Sequence, residues 1–481
     1  MNDTFTPALQ RMLAKWPRRW FAIFVNLLLA CLASAVCGQT PVPSPSSAPS
    51  AASQPNLQTG QTNLQTGPLT LEQALRLAQA TASAYEQSKF TERSAEEDVR
   101  QARAAFLPRI TGQPTLIYNS PSSAPVPSGT PRAPSFIGAN AITEYQGLAG
   151  ATGEVDLSGK LRTALRRNRA LLQAAHAGTE IERRNLLLAT VENYYGLAVA
   201  TAKRVAAEAN LKTAADFEQT TDLLEKAGEV AQVDLIRARL STTARRDELE
   251  QARTSEAASI EALRVLIGYD PAQTLTVPEL STEQPDIAEI DRFSLQMTLQ
   301  RPELMQFDAQ RIALLEEAKQ ARAERRPQIT YEVLGGFASD SLRSQPLREH
   351  SGVQATVGIT IPIFDWGASR SKERQAQFRL QSLDSSRRLA QRNYNQQFTL
   401  ARQQALSAAE RIRLARGGIT DAQRNLEISI ERYRAGEAQI IEVTDAQNTL
   451  TAQRASLYQA VFDYQVALAR LKQASGQAAG Q

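Results

Sequence analysis

In the stretch GVQATVGITIPIFDWG, residues 352–367, every second position is apolar: Val353, Ala355, Val357, Ile359, Ile361 and Ile363. Gln354, Thr356, Gly358, Thr360 and Pro362 fill the alternate positions. A period of two predicts a strand over 353–364 with one oily face. QITYEVLGGF alternates the same way through Ile329, Tyr331, Val333 and Phe337, which predicts a strand over 328–338. Weaker alternations over 109–118 and 147–157, disturbed by Pro114 and Glu154, complete a set of four.

Almost everything else carries helical spacing. The first helix opens at Thr70 with Gln73 three residues on, a capping-box pattern, and is expected to run until just before Pro108. A counterpart opens at Pro302, suited to a first helical turn, and ends before Pro327. Two very long helices are predicted over about 161–226 and 371–434, each spanning roughly 100 Å at 1.5 Å per residue. Leu188, Val191, Tyr195, Ala198, Ala202, Val205 and Ala209 form a seam along the first. Tyr394, Phe398, Ala401, Ala405, Ala408, Ile412, Ala415 and Ile419 form one along the second. Spacings of three and four are a coiled-coil signature, and the many alanines imply close helix approach. Gly417-Gly418 offers a place for the second helix to bend. Each long helix is followed by a tight turn and an antiparallel return helix, ending near Gly268 and Gly476.

The chain contains this plan twice. KAGEVAQVD at Lys226 and RAGEAQIIE at Arg434 lie 208 residues apart, as do Gly268 and Gly476. Pro108 in FLPRI and Pro327 in RRPQI lie 219 apart. The difference falls in NSPSSAPVPSGTPRAPS, a solvent-facing loop by composition. One repeat is expected over 69–285 and a second over 286–476, with a short tail, 477–481.

Composition changes this picture mainly at the N-terminus. Lys15, Arg18 and Arg19 precede WFAIFVNLLLACLASA, a charged region, a short apolar run and small residues, as in an export signal over 1–37. At 16 residues the run is short for a spanning helix. The chain's two cysteines, Cys31 and Cys37, both sit there. LLAC resembles a lipobox, making Cys31 a lipidation candidate; ordinary cleavage after Ala33–Ala35 is the alternative. Residues 38–68, rich in Pro, Ser, Gln and Gly, read as a disordered linker. The net charge of +4 is spread along helices, which speaks against nucleic acid. His176 and His350 lack partner motifs, and no metal-ligand spacing or phosphate-binding loop occurs. No enzyme, cofactor or metal is expected.

A strand of about 12 residues rises roughly 40 Å. Tilted by about 45°, it matches the apolar band of an outer-membrane barrel. Four strands cannot stand open in hydrocarbon, because the edge groups would be unpaired. Copies from other chains must close them, and three chains give twelve strands. Tyr118, Tyr145, Phe364 and Trp366 suit the interfacial girdle. A soluble sandwich is the bland alternative, but no second sheet is available for packing.

LTLEQALRLA, FLP, IPIFDWG and YRAGEAQIIEVTDAQNTL together resemble the TolC-like family of bacterial outer-membrane efflux proteins, over about 69–476. The resemblance implies a mainly α protein with a membrane β-barrel: a homotrimer with twelve strands in outer-membrane lipid and an α-helical tunnel through the periplasm. It also implies docking to a periplasmic adaptor (membrane fusion) protein and an inner-membrane pump, for efflux or type I secretion in a Gram-negative-type bacterium. A periplasmic adaptor would need compact β-rich domains that this sequence lacks. A purely structural coiled coil is at odds with the strands and the duplication. Cargo is not legible.

By the same resemblance, the turns Ala227-Gly228-Glu229 and Ala435-Gly436-Glu437 close the tunnel and touch the adaptor. Glycine at a helix C-terminus is itself sufficient reason for the turn. Glu442 and Asp445 match acidic constriction positions, where three copies would form carboxylate rings attracting divalent cations. Asp234 and Tyr433 match a latch between neighbouring coils. Ala438 stands where the best-known member has an arginine; Arg237, the repeat counterpart of Asp445, is a substitute reaching for Glu442 or Asp445, or else a solvated side chain. The arginine-dense starts of the long helices, residues 160–169 and 369–374, read as solvated faces, with selection of anionic cargo as the alternative.

Overall fold

The capping box forms where its spacing predicts: Gln73 N–H donates to Thr70 Oγ1 at 3.3 Å and Thr70 N–H donates to Gln73 Oε1 at 3.0 Å. The computed structural model describes residues 67–125, 127–129, 132–135 and 141–477. The export signal with Cys31, the linker up to residue 66 and the tail beyond 477 lie outside the described residues. Helix α1 (Leu71–Ala80) does not continue to Pro108. The Thr81 hydroxyl donates to Ile267 O at 2.9 Å, a contact with the far end of the return helix, and the chain restarts as α2 (Ala84–Ala104). The elements then run β1 (Arg109–Tyr118), β2 (Thr143–Val155), α3 (Lys160–Ala227) and α4 (Gln232–Ile267). After a linker with a short α5 (Ile287–Asp291) and a 3₁₀ turn come α6 (Pro302–Ala323), β3 (Gln328–Ser339), α7 (Ser344–Glu349), β4 (Ser351–Thr360), α8 (Ala368–Arg434) and α9 (Ile440–Ala474). The chain is mainly helical with one small antiparallel sheet.

The sheet has the order β1-β2-β3-β4. Residues opposite one another share a face, so the register sorts the side chains. One face carries Ile110, Pro114, Leu116 and Tyr118 of β1, with Tyr145, Ala149, Ala151 and Val155 of β2. Beside them lie Ile329, Tyr331, Val333 and Phe337 of β3 and Val353, Ala355, Val357 and Ile359 of β4. The other face carries Thr111, Gln113, Glu154, Thr330, Glu332, Gln354 and Thr356. Both features that disturbed the pattern are therefore consistent with it. The Pro114 nitrogen faces away from β2, so its missing donor costs no bond within the chain. Glu154 faces the polar side, 3.3 Å from Lys160 Nζ. Among the described residues nothing covers the oily face of β4: Val353 is 78% exposed. Within the described residues β1 pairs only with β2 and β4 only with β3, leaving two open edges.

Strand β4 stops at Thr360, short of the expected 364, because Pro362 cannot donate to a ladder. Trp366 (φ 53°) and Gly367 (φ 82°) then turn through left-handed backbone into α8. Asp365 holds that turn, accepting from the N–H groups of Gly367 and Ser369, both at 3.0 Å. Hydrogen bonds from Ser369 hold its carboxyl below the usual range. Asp156 serves α3 likewise, accepting from Leu161 and Arg162.

The α8 seam packs as its spacing predicts. Phe398, Ala401, Ala405, Ala408, Ile412 and Ala415 are buried in one cluster with Leu457, Ala460, Val461, Tyr464 and Leu468 of α9. The α3 seam is corrected in its lower half: Val205 is 52% exposed, and the buried line is Ala200, Ala207, Ala214 and Thr221, with Phe217. Helix α3 packs against α1, α2, α4, α6 and α9, so no single stripe describes it. Nor does Gly417-Gly418 interrupt α8, which runs unbroken to Arg434. Gly418 permits close approach to α9, since a Cβ there would meet Gln453 Oε1 at 2.7 Å. No helix among the described residues is long and apolar enough to cross a membrane.

Two substitutions test this packing. A Cβ at Gly147 would lie 2.5 Å from the Phe337 ring, so Gly147→Val should destabilise the sheet by about 1–3 kcal/mol in denaturant unfolding, whereas Gly112→Ala, with open space around it, should be tolerated. Gly417→Ala, also in open space on an unbroken helix, should stabilise by up to about 1 kcal/mol.

Candidate functional site

The two hairpin tips are built alike. Beyond α3, Gly228 (φ 78°) lets its own N–H reach Glu225 O and the Glu229 N–H reach Leu224 O, both at 2.9 Å. Beyond α8, Gly436 (φ 71°) does the same with Tyr433 O at 3.1 Å, and Glu437 with Arg432 O at 2.9 Å. This pairing satisfies the last carbonyls of each helix and requires left-handed backbone that glycine adopts without strain.

A small core joins the tips: Phe217 of α3, Ala238 of α4, Tyr433 of α8 and Ile440 and Val443 of α9. The rings of Phe217 and Tyr433 lie 5.1 Å apart, tilted by 55°. The Tyr433 hydroxyl is buried without a properly oriented hydrogen bond. Thr221 is close, its own hydroxyl donating to Phe217 O at 2.9 Å. Burial, reinforced by the Asp234 carboxylate, pushes the Tyr433 pKa up.

The carboxylates divide unequally. Glu442 uses both oxygens inside its own hairpin: Oε1 accepts from Gln439 N–H at 3.3 Å, and Oε2 meets Arg432 Nη1 at 3.1 Å. Arg432 also donates to Glu437 O at 3.3 Å, clamping the turn. The Asp445 carboxylate is exposed and has no partner among the described residues. Asp234 sits 3.7 Å from Arg237 in its own helix, so within the chain Arg237 reaches neither Glu442 nor Asp445. Ala227, Glu229, Ala435 and Glu437 are exposed around the two glycines.

Sequence reasoning missed the polar links between the hairpins. Arg245 of α4, only 5% exposed, holds Glu248 at 2.8 Å and donates to Asn448 Oδ1 of α9. Asn210 of α3 bonds Thr451 at 3.1 Å and Arg454 at 3.2 Å. These residues carry no motif; an arginine at a core position becomes visible only once helices are paired. The arginine-dense helix starts are likewise more engaged than expected. Lys160 meets Glu154, Arg162 meets Asp156, Arg167 meets Glu317 and Lys372 meets Glu324. Arg370 and Arg374 remain exposed without a carboxylate partner among the described residues. His176 has a partner after all, with Nδ1 2.8 Å from Glu92 Oε1. Among the described residues no cluster of His, Cys, Asp and Glu is arranged to hold a metal ion.

Comparison with known proteins places these features in context. The family described as outer membrane efflux protein matches residues 74–269 and 295–477. The pyoverdine export outer membrane protein OpmQ of Pseudomonas aeruginosa is 22% identical over 94% of this chain and 95% of its own length. The outer membrane efflux protein BepC of Brucella suis is 28% identical over 28% of this chain, a match that spans 30% of BepC. Among solved structures, CusC shares the fold with a TM-score of 0.74 at 19% identity, covering 85% of this chain and 92% of that one. The Campylobacter jejuni outer membrane channel CmeC does so with a TM-score of 0.72 at 17% identity, covering 92% and 95%.

The buried tyrosine sets a pH dependence. Its neutral form is favoured in the folded tip, so this contribution is intact below pH of about 10 and is lost as pH rises through the raised value. Thermal unfolding at pH 8 and 11 should show part of the alkaline loss absent in Tyr433→Phe. At neutral pH that variant should equal or exceed the parent by about 1 kcal/mol, since it removes an unsatisfied buried hydroxyl.

Proposed function

The chain belongs to the outer membrane efflux protein family, and from that premise we propose that three copies form a channel-tunnel that exports small molecules across the outer membrane. The sheet carries this reading: among the described residues it has an uncovered oily face, a polar face opposite and two open edges. Joining β4 of one copy to β1 of the next closes twelve strands with lipid outside and Gln, Thr and Glu side chains inside. Charge supports the same joint. Exposed Arg370 and Arg374 lie just below β4, and exposed Glu96 and Asp98 just below β1, without ion-pair partners among the described residues. Known members named above are outer-membrane channels and efflux proteins, not enzymes.

The two repeats then supply alternating hairpins to a periplasmic tunnel whose tips meet a periplasmic adaptor, with energy coming from an inner-membrane pump. Similarity to a pyoverdine exporter along nearly the whole chain favours small-molecule cargo over secreted protein. At the tip, Asp445 supplies the constricting carboxylate ring, while Glu442 holds the turn through Gln439 and Arg432. Asp234 and Arg237 form the latch of the first hairpin, and Tyr433 contributes through its ring against Phe217.

Mass measurement of the detergent-solubilised protein should give three chains per particle; monomers alone would overturn the assembly. In planar bilayers, Asp445→Asn should relieve block by divalent cations by about tenfold or more. Glu442→Gln should relieve it less and instead loosen the tip by about 1 kcal/mol or below, as for an exposed pair. Equal relief in both variants would sink the assignment of the ring to Asp445.

A further inference from the structure

The linker between the repeats, residues 270–294, is the internal stretch that the family match leaves out. It runs as a strap across the helices, anchored by Leu280, Ile290 and Phe293 in the main core and by Gln284 Nε2 donating to Ala409 O at 3.4 Å. Beneath the strap lies a cavity of about 360 Å³, a size suited to a small organic ligand. Buried Ile412, Val461 and Leu468 give it an apolar floor. Tyr195 of α3 and Tyr464 of α9 line it as well, and among the described residues neither hydroxyl makes a hydrogen bond.

The charges around this cavity do not balance. The strap contributes Glu283, Asp286 and Glu289, against Lys472 of α9. Lys472 Nζ lies 3.3 Å from Glu289 Oε1 and compensates that carboxylate alone. Asp286 accepts from Ala288 N–H at 2.9 Å, capping α5, and like Glu283 it has no cationic partner among the described residues. Both carboxylates are exposed at the mouth of the cavity, where they repel an anionic ligand and attract a cationic one. The tyrosine faces are electron-rich and attract positive charge. We propose that this cavity binds an organic cation with an apolar body, the charge meeting Glu283 and Asp286 and the body lying against Tyr195 and Tyr464. Both hydroxyls stay protonated as donors at ordinary pH; burial, with Glu289 and Asp286 nearby, pushes Tyr464 up to about 12. The site does not depend on the channel reading, because every group it uses belongs to one chain.

The test uses the full-length protein in non-ionic detergent, titrated with rhodamine 6G as a cationic probe and fluorescein as an anionic one, read by fluorescence anisotropy. The parent should bind rhodamine 6G saturably and fluorescein not at all. The double variant Glu283→Gln/Asp286→Asn should bind the cation at least about tenfold more weakly. Ser281→Trp, an exposed strap position that lines the cavity, should weaken it similarly by filling the space. Unchanged thermal unfolding identifies variants that remain folded. Superimposable rhodamine titrations for the parent and both variants, or fluorescein bound as tightly as rhodamine, would overturn the proposal. A monomeric preparation that still discriminates the two dyes would overturn the assembly and leave this site standing.

Discussion

Backbone N–H and C=O groups in hydrocarbon must be paired, and the proposed membrane setting of the sheet turns on this constraint. Among the described residues the four strands have an uncovered apolar face and two unpaired edges, a costly arrangement in lipid and in water alike. In water the oily face invites aggregation; in lipid the edges are too costly. The closure with further copies proposed above resolves both at once. Each of the four strands joins a helix at the same end of the sheet, so the long helices of both repeats run away from it together.

Those helices are held by two different means. Along α8 and α9 an alanine-rich seam allows close approach, and Gly418 extends it where α9 brings Gln453. Nearer the tips the apolar contacts thin to one small cluster, and polar links take over: Arg245 to Asn448, Asn210 to Thr451, Arg432 to Glu442. Of these, the Arg432–Glu442 pair is exposed and contributes modestly, whereas the Arg245 link is buried. The Tyr433 hydroxyl, buried without a partner, lowers the stability of that small cluster. The strap between repeats belongs to neither device and adds a cavity of its own at the level of the main core.

Periodicity and residue type determined the four strands, the two long helices with their return helices and the glycine after each long helix, but not the break at Thr81 or the short α5 and α7. These are local or one-dimensional properties: residues two, or three and four, positions apart share a face whatever lies beyond. Tertiary structure decided what depends on partners distant in sequence. Thr81 breaks the first helix because Ile267 offers a carbonyl 186 residues away. The α3 stripe shifts from Val205 to Ala207 because several helices share that element. Pro114 and Glu154, which look like flaws in a strand, become compatible once register places one on an edge and the other on the polar face. At the tip, residue type marks Glu442 and Asp445 as equals; only the folded turn, by bringing Gln439 N–H and Arg432 to Glu442, commits one carboxylate and leaves the other open.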